Sequence, residues 1–367
     1  MYEDKKIQAF FSLLRAGLWN RPVDREDCFP LSGDNWIQIY QYGIRQTIEG
    51  ILFDGIQQLP PQYQPPRDIL IKWLVRTEKI KQRNTWMNGI IKEQLHFFGA
   101  HRLSPLLLKG QGVAQCYLNP YRRLCGDIDW YFEEPADFRR ANELLQGHGI
   151  KVRSNPGYTS SYYWNNAEVD QHQRLFDIHN PFLKKYLRNL EVTQKPFLSV
   201  LTLTPHSAAS IPSPLLQIVQ VSVHILKHLL SFGVGLRQLC DVANLYTYYA
   251  GQFDSTALKQ IYHKLKISKW IDLLHQLLVD FLGVPEKILP LHLNRSINAG
   301  WMMDEIWGGG NFGFHDKAHI QTKEGIYTGR KSTKQKIWRN VWRYLPYAPM
   351  EALSFPVMHY YSGRARS

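Results

Sequence analysis

Cysteine is scarce in this sequence and shows no pairing pattern. Cys28, Cys116, Cys125 and Cys240 are scattered along 367 residues without a CxxC spacing. That argues against a disulfide framework and reads as reduced, buried thiols in a cytoplasmic protein. Long apolar runs are also absent. No uncharged stretch reaches the ~18 residues a transmembrane helix needs. The N-terminal stretch MYEDKKIQAFFSLLRAGLW carries acids early and has only a short apolar run, so it is a poor signal peptide. No internal repeat or low-complexity segment is present. Two catalytic signatures are missing as well. His224 and His228 stand at i, i+4, a spacing that can chelate a metal, but no Glu occupies the HExxH position, which excludes a zincin. The Gly308–Gly310 run has no following Lys-Ser or Lys-Thr, which excludes a P-loop. Acidic residues are the minority charge, 31 against 44 Lys and Arg, for a net +13. Such a balance suits a polyanionic partner (nucleotide, nucleic acid or an anionic membrane surface) and equally fits an ordinary basic surface.

What is present is a globular chain with 44% hydrophobic and 20% charged residues, long enough for two or three domains. Its most informative stretch is Leu106–Phe132, LLLKGQGVAQCYLNPYRRLCGDIDWYF. It reads as a strand over Pro105–Lys109, a turn with Gly110 and Gly112, a short helix, an Arg-bearing loop and a second strand. Alternate strand residues share a face, so Asp127 and Asp129 point one way and Ile128 and Trp130 the other, into a core. Two such carboxylates repel by about 4 kcal/mol at ~4 Å and an effective dielectric of ~20. A divalent cation relieves that repulsion, and hard oxygen ligands suit Mg²⁺ or Mn²⁺. The glycines let backbone N–H groups approach a phosphate. Arg123 offers a guanidinium fork for triphosphate oxygens, or a loop ion pair with Glu133 or Glu134.

Around this stretch the pattern is helical. Residues 1–100 read as a helical region, and its longest helix, Ile69 to about Phe98, places Leu70, Trp73, Leu74, Ile80, Trp86, Ile90 and Leu95 on or near one side. Residues 101–205 read as an α/β core, 206–316 as a second helical region and 317–367 as a basic aromatic segment. Within the core, Asp137–His148 reads as a helix, Ile150–Arg153 as a strand, and Ser160–Trp164 with Glu168–Gln173 as an antiparallel pair around Asn165–Asn166. RLFDIH, Arg174–His179, reads as a further strand that can return Asp177 to the first acid pair. His179 would share the face of Asp177, either orienting it or serving structure. Ser213 and Pro214 form a helix start. Arg237 and Asp241, at i, i+4, form a surface ion pair in the plain reading. Asn294–Phe314 reads as irregular. In the last segment Ile337, Trp338, Val341, Trp342, Leu345 and Tyr347 interleave with Arg339 and Arg343. That helix is open to a membrane, RNA or a protein partner, or docks on its own core through the Trp stripe.

LLKG followed by RRLCGDID resembles the nucleotidyltransferases of the DNA polymerase β superfamily, and within it the bacterial group of uncharacterised nucleotidyltransferases. The resemblance implies an α+β fold, a small mixed-sheet nucleotidyltransferase core flanked by N-terminal and C-terminal helical regions. It implies transfer of a nucleotidyl group from a nucleoside triphosphate to an acceptor hydroxyl or phosphate, with Mg²⁺ or Mn²⁺ as cofactor in a two-metal mechanism. Asp127, Asp129 and Asp177 become the catalytic metal ligands. Lys109, Gly110, Gln111 and Arg123 become the nucleotide-phosphate contacts, with Gln111 where the superfamily usually has Ser. The likeness extends to an HL…LRQLCD segment, which implies that His228, Arg237 and Asp241, with His179, line the cleft. ATP and the other triphosphates are equal candidates, and the acceptor is open among small molecules, proteins and RNA. Two other readings compete: a nucleotide- or nucleic-acid-binding protein on the same scaffold without turnover, and an Asp-x-Asp glycosyltransferase.

Overall fold

The opening helices begin at side-chain caps visible in the sequence. Asp4 accepts from the Lys6 amide at the start of α1, Lys5–Trp19, and Ser32 accepts from Asn35 at the start of α2, Gly33–Gln46. α3, Glu49–Ile56, follows, and then α4, Arg67–Ala100, the longest helix. The computed structural model describes residues 4–155, 158–204, 207–311, 320–322, 325–327 and 330–364.

The buried stripe of α4 differs from the purely apolar one expected. Leu74 and Trp86 are exposed, while Thr77, Asn84 and Gln94 are buried alongside Trp73, Ile80, Ile90 and Phe98. The reason lies in what α4 packs against. Gln94 Oε1 accepts from Trp130 Nε1 at 2.8 Å and from Tyr162 Oη at 2.7 Å. The stripe therefore serves polar groups of the sheet and its loops.

The sheet contains β1, Leu106–Leu108; β2, Ile128–Tyr131; β3, Arg153–Asn155; β4, Thr159–Trp164; and β5, Ala167–His172, in the order β1-β2-β5-β4-β3. β2 and β5 are parallel, and the other pairings are antiparallel. Between the strands lie α5, Gly110–Ala114, and α6, Pro135–Gly147. The β4–β5 hairpin turns at Asn165 and Asn166, both at positive φ (45° and 68°), a conformation asparagine tolerates. Ile128, Trp130 and Val169 pack with α4 and α6 in one core cluster, so the opposite face carries Asp129 and Asp170.

RLFDIH is not a strand. β5 ends at His172, and Leu175, Phe176 and Ile178 are all buried without alternation. The hairpin strand β5 has taken the place beside β2, and the segment after it crosses to the helical half. That half comprises α7, Lys184–Gln194; a separate hairpin of β6, Ser199–Thr204, and β7, Ser207–Ile211; α8, Pro214–Leu230; α9, Leu236–Tyr248; α10, Ser255–Lys264; α11, Ser268–Leu282; and α12, Gly300–Gly309. α8 starts at its Ser213 cap with Pro214 first, as the sequence indicates. α12 corrects the irregular reading of Trp301–Gly309; residues 312–314 lie outside the described set. A short hairpin, β8, Ile320–Thr322, and β9, Gly325–Tyr327, precedes α13, Arg330–Tyr344, and α14, Pro349–Arg364. α13 docks through Ile337, Asn340, Val341 and Tyr344, whereas Trp338 and Trp342 face outward, 55% and 69% exposed. The Trp stripe is thus not its docking face. No described helix is long and apolar enough to cross a membrane, and the four cysteines are unpaired and buried.

Candidate functional site

The polar face of the β2–β5 pair forms one wall of a cavity of about 830 Å³. Register places Asp129 directly beside Asp170, and Asp127 precedes β2 on the same face. Asp129 is buried and well compensated. Lys109 Nζ lies 3.1 Å, and His172 Nε2 2.7 Å, from its Oδ1. Burial opposes its charge, but Lys109 and His172 outweigh burial and hold it below the ordinary carboxylate range. Its two neighbours lack such help. Asp127 and Asp170 accept no hydrogen bond among the described residues. Burial, then the charge of Asp129, raises both, Asp170 to about 6. This is the electrostatic condition a divalent cation relieves. Ligand atoms of Asp129, Asp170 and His172 also lie within 4.8 Å of one another. The residues fit a hard cation, since carboxylate oxygens dominate the donor set. Sequence reasoning missed Asp170 and His172. Their i, i+2 spacing in AEVDQH was the available signal, but only the register to β2 gives it meaning.

Asp177 lines the same cavity from the crossing segment, not from a strand. Its two oxygens accept from His224 Nδ1 and Lys227 Nζ, each at 2.7 Å. Burial works against its charge, yet Lys227, His224 and Lys109 keep it well below the carboxylate range. His224 itself is driven down to about 4 by burial and by Lys109, so at neutral pH a neutral imidazole donates Nδ1–H to Asp177. His179 also lines the cavity but is turned to α14: its amide and Nδ1 lie 2.8 and 3.2 Å from Glu351 Oε2. His224, not His179, orients Asp177.

Lys109 sits at φ 44°, ψ −136°, a left-handed backbone uncommon for a side-chain-bearing residue, followed by Gly110 at φ 33°. The bend aims the Lys109 ammonium into the acids. Burial is outweighed by Asp129, Asp177 and Asp127, which raise its pKa. Lys109 is therefore a counter-charge to the carboxylates. Gly110 lines the cavity; Gln111 does not. The Gln111 side chain is buried, and neither amide atom has a partner among the described residues. A side-chain phosphate contact is thus corrected for Gln111.

Arg123 is likewise spoken for. Nε and Nη2 donate to the two oxygens of Asp241 at 2.7 and 2.8 Å, and Nη1 lies 3.2 Å from Cys125 Sγ. Neither Glu133 nor Glu134 is its partner; Arg123 lines the cavity with Nε and Nη2 engaged by Asp241. Tyr117 Oη completes the cluster with a 2.6 Å bond to Asp241. Arg237 and Asp241 are buried on α9 and line the cavity with His228. This corrects the surface ion-pair reading: Asp241 pairs with Arg123, and Arg237 Nη1 donates to Leu124 O at 2.7 Å. The loop before Asp127 is held from α4 as well. Asn84 donates to the carbonyls of Tyr121 and Arg123, and Arg83 to those of Cys125 and Gly126. Asp127 therefore leaves a loop clamped on both sides.

An antigenic nucleotidyltransferase-like protein from Paracoccidioides brasiliensis is among the solved structures similar to this one, with 11% identity, 54% of this chain and 92% of that chain covered, and a TM-score of 0.32. A likeness of that size carries no functional weight. No curated protein matches the chain. Residues 32–283, well over half of the sequence, match the family described as uncharacterised nucleotidyltransferase. The match speaks for nucleotidyl rather than glycosyl transfer, and the chain belongs to the uncharacterised nucleotidyltransferase family.

Proposed function

We propose that this protein transfers a nucleotidyl group from a nucleoside triphosphate to an acceptor hydroxyl or phosphate, releasing pyrophosphate, with Mg²⁺ or Mn²⁺ as cofactor. The single observation behind this reading is the trio Asp127, Asp129 and Asp170, in which the outer two carboxylates are partly buried, stand beside a third charge and accept no hydrogen bond from the described residues. Unrelieved charge of this kind clusters at functional sites. Asp127, Asp129 and Asp170 hold the cation, and His172 holds Asp129 in orientation. Bound divalent cations, two in a mechanism of the polymerase β kind, supply Lewis-acid neutralisation of the triphosphate and the departing pyrophosphate.

The protein's own groups position and neutralise. Lys109 balances the acids and lies at the bend nearest them. Lys227 and Arg237 line the cavity and add positive charge on the helical side. Asp177, the third carboxylate of the family resemblance, fixes His224 and Lys227 beside the metal ligands. The test is incubation of the chain with α-labelled triphosphates, Mg²⁺ and a broad acceptor panel. Labelled product and stoichiometric pyrophosphate are expected, with both lost in Asp129→Asn. Full activity in that variant would refute the assignment. One observation favours binding without turnover: Gln111, where the superfamily usually has serine, does not line the cavity. Metal-dependent triphosphate binding with no pyrophosphate released from any acceptor would select that reading.

A further inference from the structure

At its helical end the cavity is walled by α8 and closed by residues of α13 and α14 that lie beyond the family match. His224, Lys227, His228 and the C-cap Ser231 form one i, i+3, i+4, i+7 stripe along α8 and its end, and all four line the cavity. The stripe runs about 10 Å at the rise of an α-helix. It begins at the Asp177–His224 contact beside the acids and ends beneath α13 and α14. There the lining gains apolar groups: Phe232, Ile337, Phe355 and Met358. Ile337, Phe355 and Met358 lie outside residues 32–283.

Polar contacts fix this wall in place. Asn340 Nδ2 donates to Leu229 O at 2.9 Å and Lys336 Nζ to Phe232 O at 2.9 Å, so α13 caps the C-terminal end of α8. Glu351 of α14 accepts from the amides of His179 and Asn180 at 2.8 and 3.0 Å. The same glutamate ties the apolar wall to the segment that carries Asp177. At the other end, the β3–β4 side offers polar and aromatic groups. Ser154, Asn155 and Thr159 line it, and Arg174 lies 3.7 Å above the Tyr158 ring. A nucleoside needs hydrogen-bond partners for its edges and finds them on the sheet side. The helical end adds hydrocarbon from Phe232, Ile337, Phe355 and Met358 beyond its row of cationic and polar groups.

We infer that this apolar end is the acceptor subsite, and that the acceptor is a small molecule with an apolar body presenting one hydroxyl toward the acids. The inference rests on the nucleotidyl-transfer reading and deepens it. The acceptor oxygen forms a bond to the α-phosphorus, the bond from that phosphorus to the bridging oxygen of pyrophosphate breaks, and the hydroxyl proton is released to water. At about 830 Å³ the cavity lies in the upper part of the 300–1,000 Å³ range common for ligand sites. An acceptor of modest size can therefore share it with a nucleotide.

The test uses the full chain with Mn²⁺, an equimolar mixture of the four α-labelled triphosphates, and as probes the linear alcohols from propanol to octanol with glycerol as the polar comparison. The expected result is nucleotidylated alcohol with kcat/KM rising about fourfold per added methylene. Phe232→Glu and Met358→Glu, at partly exposed positions that need not unfold the chain, each lower the octanol value tenfold or more. Their dissociation constant for manganese-triphosphate stays within twofold of wild type. Intact triphosphate binding with glycerol as good as octanol, with no alcohol used, or with both variants unchanged overturns the subsite alone. Absence of metal-dependent triphosphate binding in the wild type overturns the nucleotidyl-transfer reading and the subsite with it.

Discussion

Asp241 and Asp170 are both acids lining the same cavity, yet their surroundings are opposite. Asp241 receives two guanidinium nitrogens of Arg123 and the Tyr117 hydroxyl, all within 2.8 Å. Asp170 accepts no hydrogen bond among the described residues and stands beside Asp129, with burial and that neighbour raising it to about 6. A buried charge satisfied by its own chain is a structural joint, and removing one partner strands the other. A partly buried carboxylate that its chain leaves without a hydrogen bond is a place for something else. In this cavity, hydrogen-bond satisfaction, not acidity, separates the joint from the site.

The comparison makes opposed predictions. Asp241→Asn removes the charge that Arg123 and Tyr117 share, and is expected to cost about 3–5 kcal/mol of stability. Calorimetry should record a large fall in Tm, while Mn²⁺ affinity measured well below the transition changes less than in the next variant. Asp170→Asn should do the reverse. Mn²⁺ affinity falls by about a hundredfold or more, beyond the ~10–100-fold typical of outer-sphere partners, and Tm stays equal or rises because a repulsion is gone. If Asp170→Asn unfolds the chain and Asp241→Asn abolishes metal binding at full stability, the comparison is inverted and the site assignment fails.

Asp170 also sets a pH dependence. Its folded pKa, about 6, lies above that of an ordinary carboxylate, so the folded state binds this proton more tightly. Its contribution to metal-free stability is therefore present at low pH and lost as pH rises through about 6. Metal competes with the same proton, so Mn²⁺ affinity should fall about tenfold per pH unit below that point. Asp177, held well below the carboxylate range by Lys227 and His224 against burial, has the opposite sign, and its contribution is lost only in strong acid. A flat affinity between pH 5 and 7 would remove Asp170 from the ligand set. The smallest effect is expected at the outward-facing tryptophans. Trp342→Ser should move stability by no more than about 0.5 kcal/mol, whereas a large loss of Tm would place that ring in a packed interface.

How far the sequence could be read follows the range of the forces involved. The alternation that buries Ile128 and Trp130 and presents Asp129 is local, as is the Asn165–Asn166 hairpin, and both were legible. The placement of Asp177 at the same cavity was legible through the family resemblance, but the strand around it was not. β5 fills the position beside β2, and nothing within RLFDIH reports that competition. Asp170 was hidden for the same reason, since it matters only through a cross-strand register. The partner of Arg123 lies 118 residues away, and the buried stripe of α4 took in Asn84 and Gln94 to serve distant carbonyls and rings. These misses at the site rest on long-range contacts, which periodicity does not encode.

The most direct measurement is a Mn²⁺ titration followed by electron paramagnetic resonance, with and without a nucleoside triphosphate, on wild type, Asp129→Asn and Asp170→Asn. Saturable binding in the wild type, strengthened by the triphosphate and lost in both variants while they remain folded, is the predicted result. Equal Mn²⁺ binding by the folded variants, or none by the wild type with triphosphate present, would contradict the account.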